Sequence, residues 1–412
     1  MIRKIYGKVM NDSLYKNSIY LMLSTAITAG LGFFFWMIVT RLYTPEKVGL
    51  ASTLISIISL ITTFSLLGLN TALVRYLPTS ERKNDKINTV FTISVLATLV
   101  VTTIFLLGIN TFSPKLMFIK ENLYYAIFFI ASMIFMTLFT MIDSVLLAYR
   151  SAKYTLVKSS IFGVVKVILP LLLVSLGAMG IFGSVTIAAG VAFVYALIVL
   201  IVKFGYKLKP VLYDDIIKRM FPYSFGNYVA GFFGSLPTMI LPLMITNRIN
   251  AETTAYYYIA MMMANLLFVI PQATTNSLFA EGSYDEREFK KQIKKAFKVI
   301  TLILIPAILF MILFGKYVLM TFGDNYSTEG FIVLELLALS GVFISINCIG
   351  GTVFMVKHKI KQLIFINILG SSLILILSYL LIQKGLMGIG LAWVIGQSIV
   401  SMIYLGLIKE KF

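Results

Sequence analysis

Apolar residues in this chain run on without the interruptions of a half-buried strand or a surface helix, as from Asn17 to Thr40 and from Val48 to Leu69. A helix of about 20 such residues crosses a hydrocarbon layer of ~30 Å. Walking the sequence gives twelve segments of this kind, centred near Ile27, Ile58, Ala97, Met133, Val167, Ala192, Gly234, Leu266, Ile305, Phe343, Leu373 and Ser398. Helix is the state expected for all of them, because backbone groups in lipid must bond within their own segment and strand-like alternation is absent. The predicted fold is an all-α integral membrane protein of twelve transmembrane helices.

Composition agrees: 59% of the residues are hydrophobic and 13% charged, about half the charged share of a soluble domain. The net charge of +18 would suggest nucleic acid in a soluble protein. Here the basic residues sit in the short gaps between apolar runs, where anionic lipid headgroups are the expected counter-charge. Arg82, Lys83 and Lys86, or Lys290, Lys291, Lys294 and Lys295, are typical of one side, and Arg41, Lys47, Lys115, Lys120, Arg248, Lys316 and Lys384 make up the other. The bias of roughly four to one predicts both termini in the cytoplasm and an even number of spans. The basic N-terminal segment shows no cleavage pattern, so the first span is expected to serve for targeting. The cell (plasma or inner) membrane is the expected location.

The two halves of the chain repeat. Gly177-Ala178-Met179-Gly180-Ile181 corresponds to Gly385-Leu386-Met387-Gly388-Ile389, each ahead of the last span of its half. Pro45-Glu46 with Ala251-Glu252, Asn70 with Asn276, Lys153 with Lys359 and Gly163 with Gly370 keep nearly the same offset. This predicts two pseudo-symmetric six-helix lobes, residues 1–206 and 207–412, related by an axis along the membrane normal and rocking about a central transport path.

An ionisable group in hydrocarbon needs a partner or a function. Three are expected well inside spans: Asp143, Lys166 and Glu335. Asp143 and Lys166 could pair across neighbouring helices, or Lys166 could attract an anionic headgroup and Asp143 bind a coupling cation. Glu335 could hold a proton or cation, or snorkel to the interface. Arg41, Arg75 and Arg248 stand at span ends, as interfacial anchors or as forked donors to a passing diphosphate. Pro237 and Pro242 with Gly231 and Gly234 are expected to kink the seventh helix. Asn265, Gln272 and Asn276 form a polar stripe expected to face the bundle interior, for helix–helix bonding or sugar contact. Tyr256-Tyr257-Tyr258 fits an aromatic belt, and His358 a loop. Tyr284–Ile300 could be an interfacial amphipathic helix or a basic lead-in to the ninth span.

Soluble-type chemistry is not expected. The chain has one cysteine, Cys348, and one histidine, and carries no phosphate-cradling Gly-rich loop with Lys-Ser/Thr. The outer loops, the longest near Lys316–Thr328, leave no room for a catalytic domain. The expectation is a transporter without enzymatic activity or cofactor, and without nucleic acid as partner.

The run Thr40-Arg41-Leu42-Tyr43-Thr44-Pro45-Glu46-Lys47-Val48-Gly49-Leu50, followed by Leu67-Gly68-Leu69-Asn70-Thr71-Ala72-Leu73-Val74-Arg75-Tyr76, resembles the first two helices of polysaccharide transporters. These are the O-antigen and teichuronic-type flippases of the multidrug/oligosaccharidyl-lipid/polysaccharide (MOP) exporter superfamily. The resemblance implies a V-shaped, MATE-like pair of lobes that flips a polyprenyl-diphosphate-linked oligosaccharide outward by alternating access, with proton or sodium coupling common. It also implies a basic cavity, which Arg41, Arg75, Lys166 and Arg248 could supply, while Asp143 and Glu335 are the residues that keep a MATE-type reading open. Lipid II flippases of the superfamily usually have fourteen helices. MATE-type drug exporters share the twelve-helix plan but favour acidic sites, so a cation-coupled multidrug exporter is the alternative.

Overall fold

The computed structural model describes residues 13–284 and 288–409. Twelve helices in it are long and apolar enough to cross a membrane, and no strand occurs among the described residues. They are α1 (Ser13–Leu42), α2 (Pro45–Leu66), α3 (Lys83–Leu107), α4 (Leu123–Ala148), α5 (Ala152–Leu172) and α6 (Ala178–Phe204). The second half gives α7 (Asp214–Arg248), α8 (Ala251–Tyr284), α9 (Phe289–Met320), α10 (Phe331–Val356), α11 (Ile360–Leu380) and α12 (Gly385–Lys409).

Two compact units divide the chain, Met1–Tyr43 with Ile57–Tyr228 and Thr44–Ser56 with Val229–Phe412. Within the first, α3 packs on α4, α4 on α6, α6 on α5 and α5 on α1. Within the second, α9 packs on α10, α10 on α12 and α12 on α11. The order of packing thus repeats along with the sequence.

Local geometry repeats too. Arg150 and His358 both adopt left-handed backbone, with φ of 52° and 55°, and Gly177 and Gly385 match at 56° and 59°. His358 lies in a turn, as expected. A short 3-10 turn precedes each of these glycines, Val174–Leu176 in one half and Ile382–Lys384 in the other. Three residues after each stands a second glycine forced by close approach: a Cβ on Gly180 would lie 2.1 Å from the Leu173 carbonyl oxygen, and one on Gly388 2.0 Å from that of Leu381. The Gly-x-x-Gly signature is therefore a packing device that folds each last helix back on its predecessor.

Helices α1 and α5 run side by side in parallel. Asn17 Oδ1 accepts the Ala152 N–H at 3.1 Å and so caps α5 from its neighbour, and Ser24 bonds Ser159 at 2.9 Å one level further on. Gly163 admits Leu31, whose Cδ1 would be 2.4 Å from a Cβ there. At the far end the Tyr43 hydroxyl donates to the Pro170 carbonyl at 2.8 Å.

Helix α7 carries its prolines within one continuous helix. Proline lacks the N–H that would bond the carbonyl four residues back, so Pro237 leaves the Phe233 carbonyl open, and Ser371 of α11 donates to it. Asn367 Nδ2 reaches the Ala230 carbonyl at 2.9 Å, in the space that Gly234 leaves free.

From Phe289 onward, Tyr284–Ile300 forms the opening turns of α9, the second of its two expected forms, a basic lead-in to the ninth span; Phe289 and Ile300 are buried while Phe297 is exposed. Residues 285–287 lie outside the described residues. Tyr256 and Tyr257 are buried core, not an exposed belt, and the Tyr256 hydroxyl donates to Glu252. Asn265, Gln272 and Asn276 are all exposed on α8.

Replacing Gly180 or Gly388 by alanine is expected to destabilise the protein by about 1–3 kcal/mol, the usual cost of overpacking. Gly30→Ala, where a Cβ meets nothing within 4 Å, should be neutral or slightly stabilising. Thermal unfolding in detergent reads all three, and equal midpoints would remove the close approach as a determinant of the fold.

Candidate functional site

The tight turn Tyr149–Ser151 joins α4 to α5, so residues equally far from it on the two helices stand at equal depth. Asp143 lies six residues before Tyr149 and Lys158 seven beyond Ser151, about 9–10 Å along either helix. They meet: Lys158 Nζ is 2.6 Å from Asp143 Oδ2 and 2.8 Å from the Phe139 carbonyl. It also lies 3.5 Å from the Phe139 ring centroid, a cation–π contact. The Lys158 side chain is fully enclosed, and the remaining Asp143 oxygen, Oδ1, is buried without a hydrogen bond.

The expected Asp143–Lys166 pair is therefore not formed; Lys158 occupies that carboxylate. In the sequence Lys158 groups with the loop lysines, because it comes closely after Arg150 and Lys153. Its symmetry with Asp143 about the hairpin turn is the signal that distinguishes it from them.

Lys166 lies two turns further along α5 and is 8% exposed. Its ammonium sits between two aromatic rings, 5.0 Å from the Phe35 centroid on α1 and 4.9 Å from that of Phe162 on its own helix. Gly32 of α1 also faces it, where a Cβ would lie in ordinary contact with Nζ at 3.9 Å. Among the described residues no carboxylate pairs with Lys166. The rings offset part of the cost of burying its charge, but an ammonium withdrawn from water without an anion remains an unfilled electrostatic demand. Phe139 and Phe162 are in contact, centroids 4.9 Å apart, so a line of charge and rings runs from Asp143 through Lys158, Phe139 and Phe162 to Lys166.

The other expected residues fall elsewhere. In the first unit, Arg41 is exposed in the last turn of α1, and Arg75 is exposed in the short helix Leu69–Tyr76, its guanidinium 5.7 Å from the Tyr76 ring. In the second unit, the exposed Arg248 stacks on Tyr379 at 5.1 Å. Asn265 and Asn276 are open on α8, and Glu335 is half-buried on α10. Only Asp143 and Lys166 among the expected residues belong to one built cluster.

Known proteins share this architecture. An inward-facing structure of a multidrug resistance MATE family transporter of the MOP superfamily matches with a TM-score of 0.76 at 16% identity, covering 96% of this chain and 98% of its own. The lipid II flippase MurJ matches with a TM-score of 0.78 at 16% identity, over 95% of this chain and 87% of MurJ. A MOP superfamily transporter from Pyrococcus furiosus, described for the reverse polarity of its binding pocket, gives 0.64 at 14% identity, over 97% and 95% of the two chains. The fold is thus that of the MOP superfamily, a multi-pass membrane architecture. In sequence, an O-antigen transporter designated in Shigella flexneri is 25% identical over 232 residues, 52% of this chain and 54% of the relative, so the match spans about half the length of that protein. The chain belongs to the polysaccharide biosynthesis protein family, whose profile matches residues 38–329.

Lys158 is enclosed while the Asp143 side chain is 40% exposed, so removing the carboxylate strands a buried ammonium at less than the ~3–5 kcal/mol of a fully buried pair, whereas replacing both by apolar residues is often close to neutral. Asp143→Leu is therefore expected to lower the thermal midpoint in detergent by several degrees, and Asp143→Leu with Lys158→Leu to restore most of the loss. Additive losses in the double variant would show that the two residues do not act as a pair.

Proposed function

We propose that the protein is a flippase that carries a polyprenyl-diphosphate-linked oligosaccharide from the cytoplasmic to the outer leaflet by alternating access. The observation that carries this reading is Lys166, a buried ammonium flanked by aromatic faces and without a carboxylate partner among the described residues. A diphosphate is a suitable counter-ion for it: the headgroup is anionic, and a charge-assisted contact formed away from water is strong. Family membership supports a polysaccharide intermediate as cargo, and the MOP fold supports movement of two lobes, residues 1–206 and 207–412, about a central path.

In this reading Arg41, Arg75 and Arg248 lie along the way of the headgroup in and out. Asn265 and Asn276, exposed on α8, offer hydrogen bonds to sugar hydroxyls. Asp143 and Glu335 are the carboxylates available to proton or sodium coupling, Asp143 already engaged by Lys158. The protein sits in the plasma or inner membrane with both termini cytoplasmic, in keeping with the distribution of its lysines and arginines.

The test is reconstitution in liposomes with a labelled polyprenyl-diphosphate oligosaccharide, run beside a cationic dye. Saturable leaflet exchange of the glycolipid is expected, reduced about ten- to hundredfold in Lys166→Ala, the range for losing a hydrogen bond to a charged group, and partly retained in Lys166→Arg. A correctly assembled Lys166→Ala protein flipping at the wild-type rate would remove Lys166 from the mechanism. Gradient-driven efflux of the dye alone would make the protein a drug exporter.

A further inference from the structure

Between α6 and α7 the chain leaves helical structure from Gly205 to Tyr213. Gly205 ends α6 in left-handed backbone at φ 64°. The connector beyond it is held in place, not slack, and one buried side chain of α3 holds it. Asn88, 4% exposed, donates through Nδ2 to the Lys207 carbonyl at 2.9 Å and accepts at Oδ1 the Lys209 N–H at 3.1 Å. The carboxamide thus takes the place of a neighbouring strand. The Tyr206 hydroxyl donates to the same Oδ1 at 2.5 Å, and burial keeps it protonated well above its ordinary value. Asn84 adds a bond to the Gly205 carbonyl, and Arg82 stacks on Tyr213 at 4.6 Å.

In an extended chain alternate residues share a face. Leu208, Pro210 and Leu212 therefore fall on one side of the connector, and Lys207 and Lys209 on the other. The first face is open: Leu208 is 63% exposed and Leu212 53%. A pinned segment that holds two leucines away from the protein is not an unfinished core, because Tyr206 beside it is fully packed.

Position and charge indicate what meets this face. Leu208 is four residues past Phe204, the last residue of a membrane span, so at full extension it is no more than ~14 Å from the end of that span. From Lys203 to Tyr213 the sequence contains three lysines and no acid. The first carboxylates beyond it are already engaged, Asp214 by Lys218 at 2.6 Å and Asp215 by Arg82 at 3.0 Å. An apolar row flanked by uncompensated lysines at the end of a span is complementary to a leaflet edge, with acyl chains below and phosphates above.

We propose that the connector Gly205–Tyr213 is a docking site for anionic phospholipid, with Leu208 and Leu212 seated in the acyl edge and Lys203, Lys207 and Lys209 against lipid phosphates. The site belongs to the first unit alone and does not depend on what the protein transports.

The test uses the full chain with Cys348→Ala and a single new cysteine in Leu208→Cys, Leu212→Cys or Lys209→Cys, labelled with bimane in proteoliposomes. The vesicles are phosphatidylcholine alone or with phosphatidylglycerol, and quenching by brominated acyl chains is compared with quenching by aqueous iodide. Bimane at positions 208 and 212 is expected to be quenched by brominated lipid, more strongly with phosphatidylglycerol, while position 209 stays accessible to iodide. Removing one lysine, as in Lys207→Gln or Lys209→Gln, should weaken the phosphatidylglycerol response about fivefold, the equivalent of about 1 kcal/mol per basic residue at an anionic surface. Unhindered iodide quenching at 208 and 212 would overturn the proposal. So would lipid quenching indifferent to phosphatidylglycerol, or protection from both quenchers, which would mean a protein covers the face.

Discussion

Nothing in the interior of a bilayer will bond a peptide group except the peptide's own helix or a side chain sent to meet it. Every span here is arranged around that condition. Where it is met internally, the helix is free to pack by shape, and at one break in α7 a neighbour supplies the missing donor. Pro237 opens one carbonyl of α7, and the hydroxyl of Ser371 lies within reach of it. Asn17 and Asn122 perform the same service at helix starts, the one across to α5 and the other within its own chain segment. The serines and threonines scattered through the apolar runs are therefore parts of the backbone's hydrogen bonding as much as of the helix surface.

The two units share a packing plan but not an electrostatic one. Counting from the matched turns at Arg150 and His358, the positions in the second half that correspond to Asp143, Lys158 and Lys166 are Gly351, Ile366 and Ile374. One repeat carries a line of charges bridged by aromatic rings; the other carries small and aliphatic residues at the same places. The halves match where helices are held together and differ where charge is placed, so the repeat itself says nothing about which half handles an ion.

That division also separates what was legible in the sequence from what was not. Span number, helical class and the two-fold repeat follow from hydrophobicity and from the Gly-x-x-Gly signature, because each is set by local composition against a fixed membrane thickness. The isolation of Lys166 in an apolar run was equally plain. Its full environment was not: Phe162 is an i,i+4 neighbour on the same helix, but that Phe35 closes the other side depends on the parallel register of α1 and α5. Lys158 was hidden because a lysine near a span end looks the same whether it points to water or to a carboxylate across a hairpin. Tyr256 and Tyr257 misled for a related reason, since aromatic residues at a span end serve a belt or a core equally well and only the neighbours decide.

Asn88 bonds a piece of chain that joins one six-helix segment to the next. At the corresponding place in the second half stands Ala296, whose methyl group can grip no backbone. The hold on the connector therefore belongs to the first half and is a feature that the repeat of the two halves does not account for.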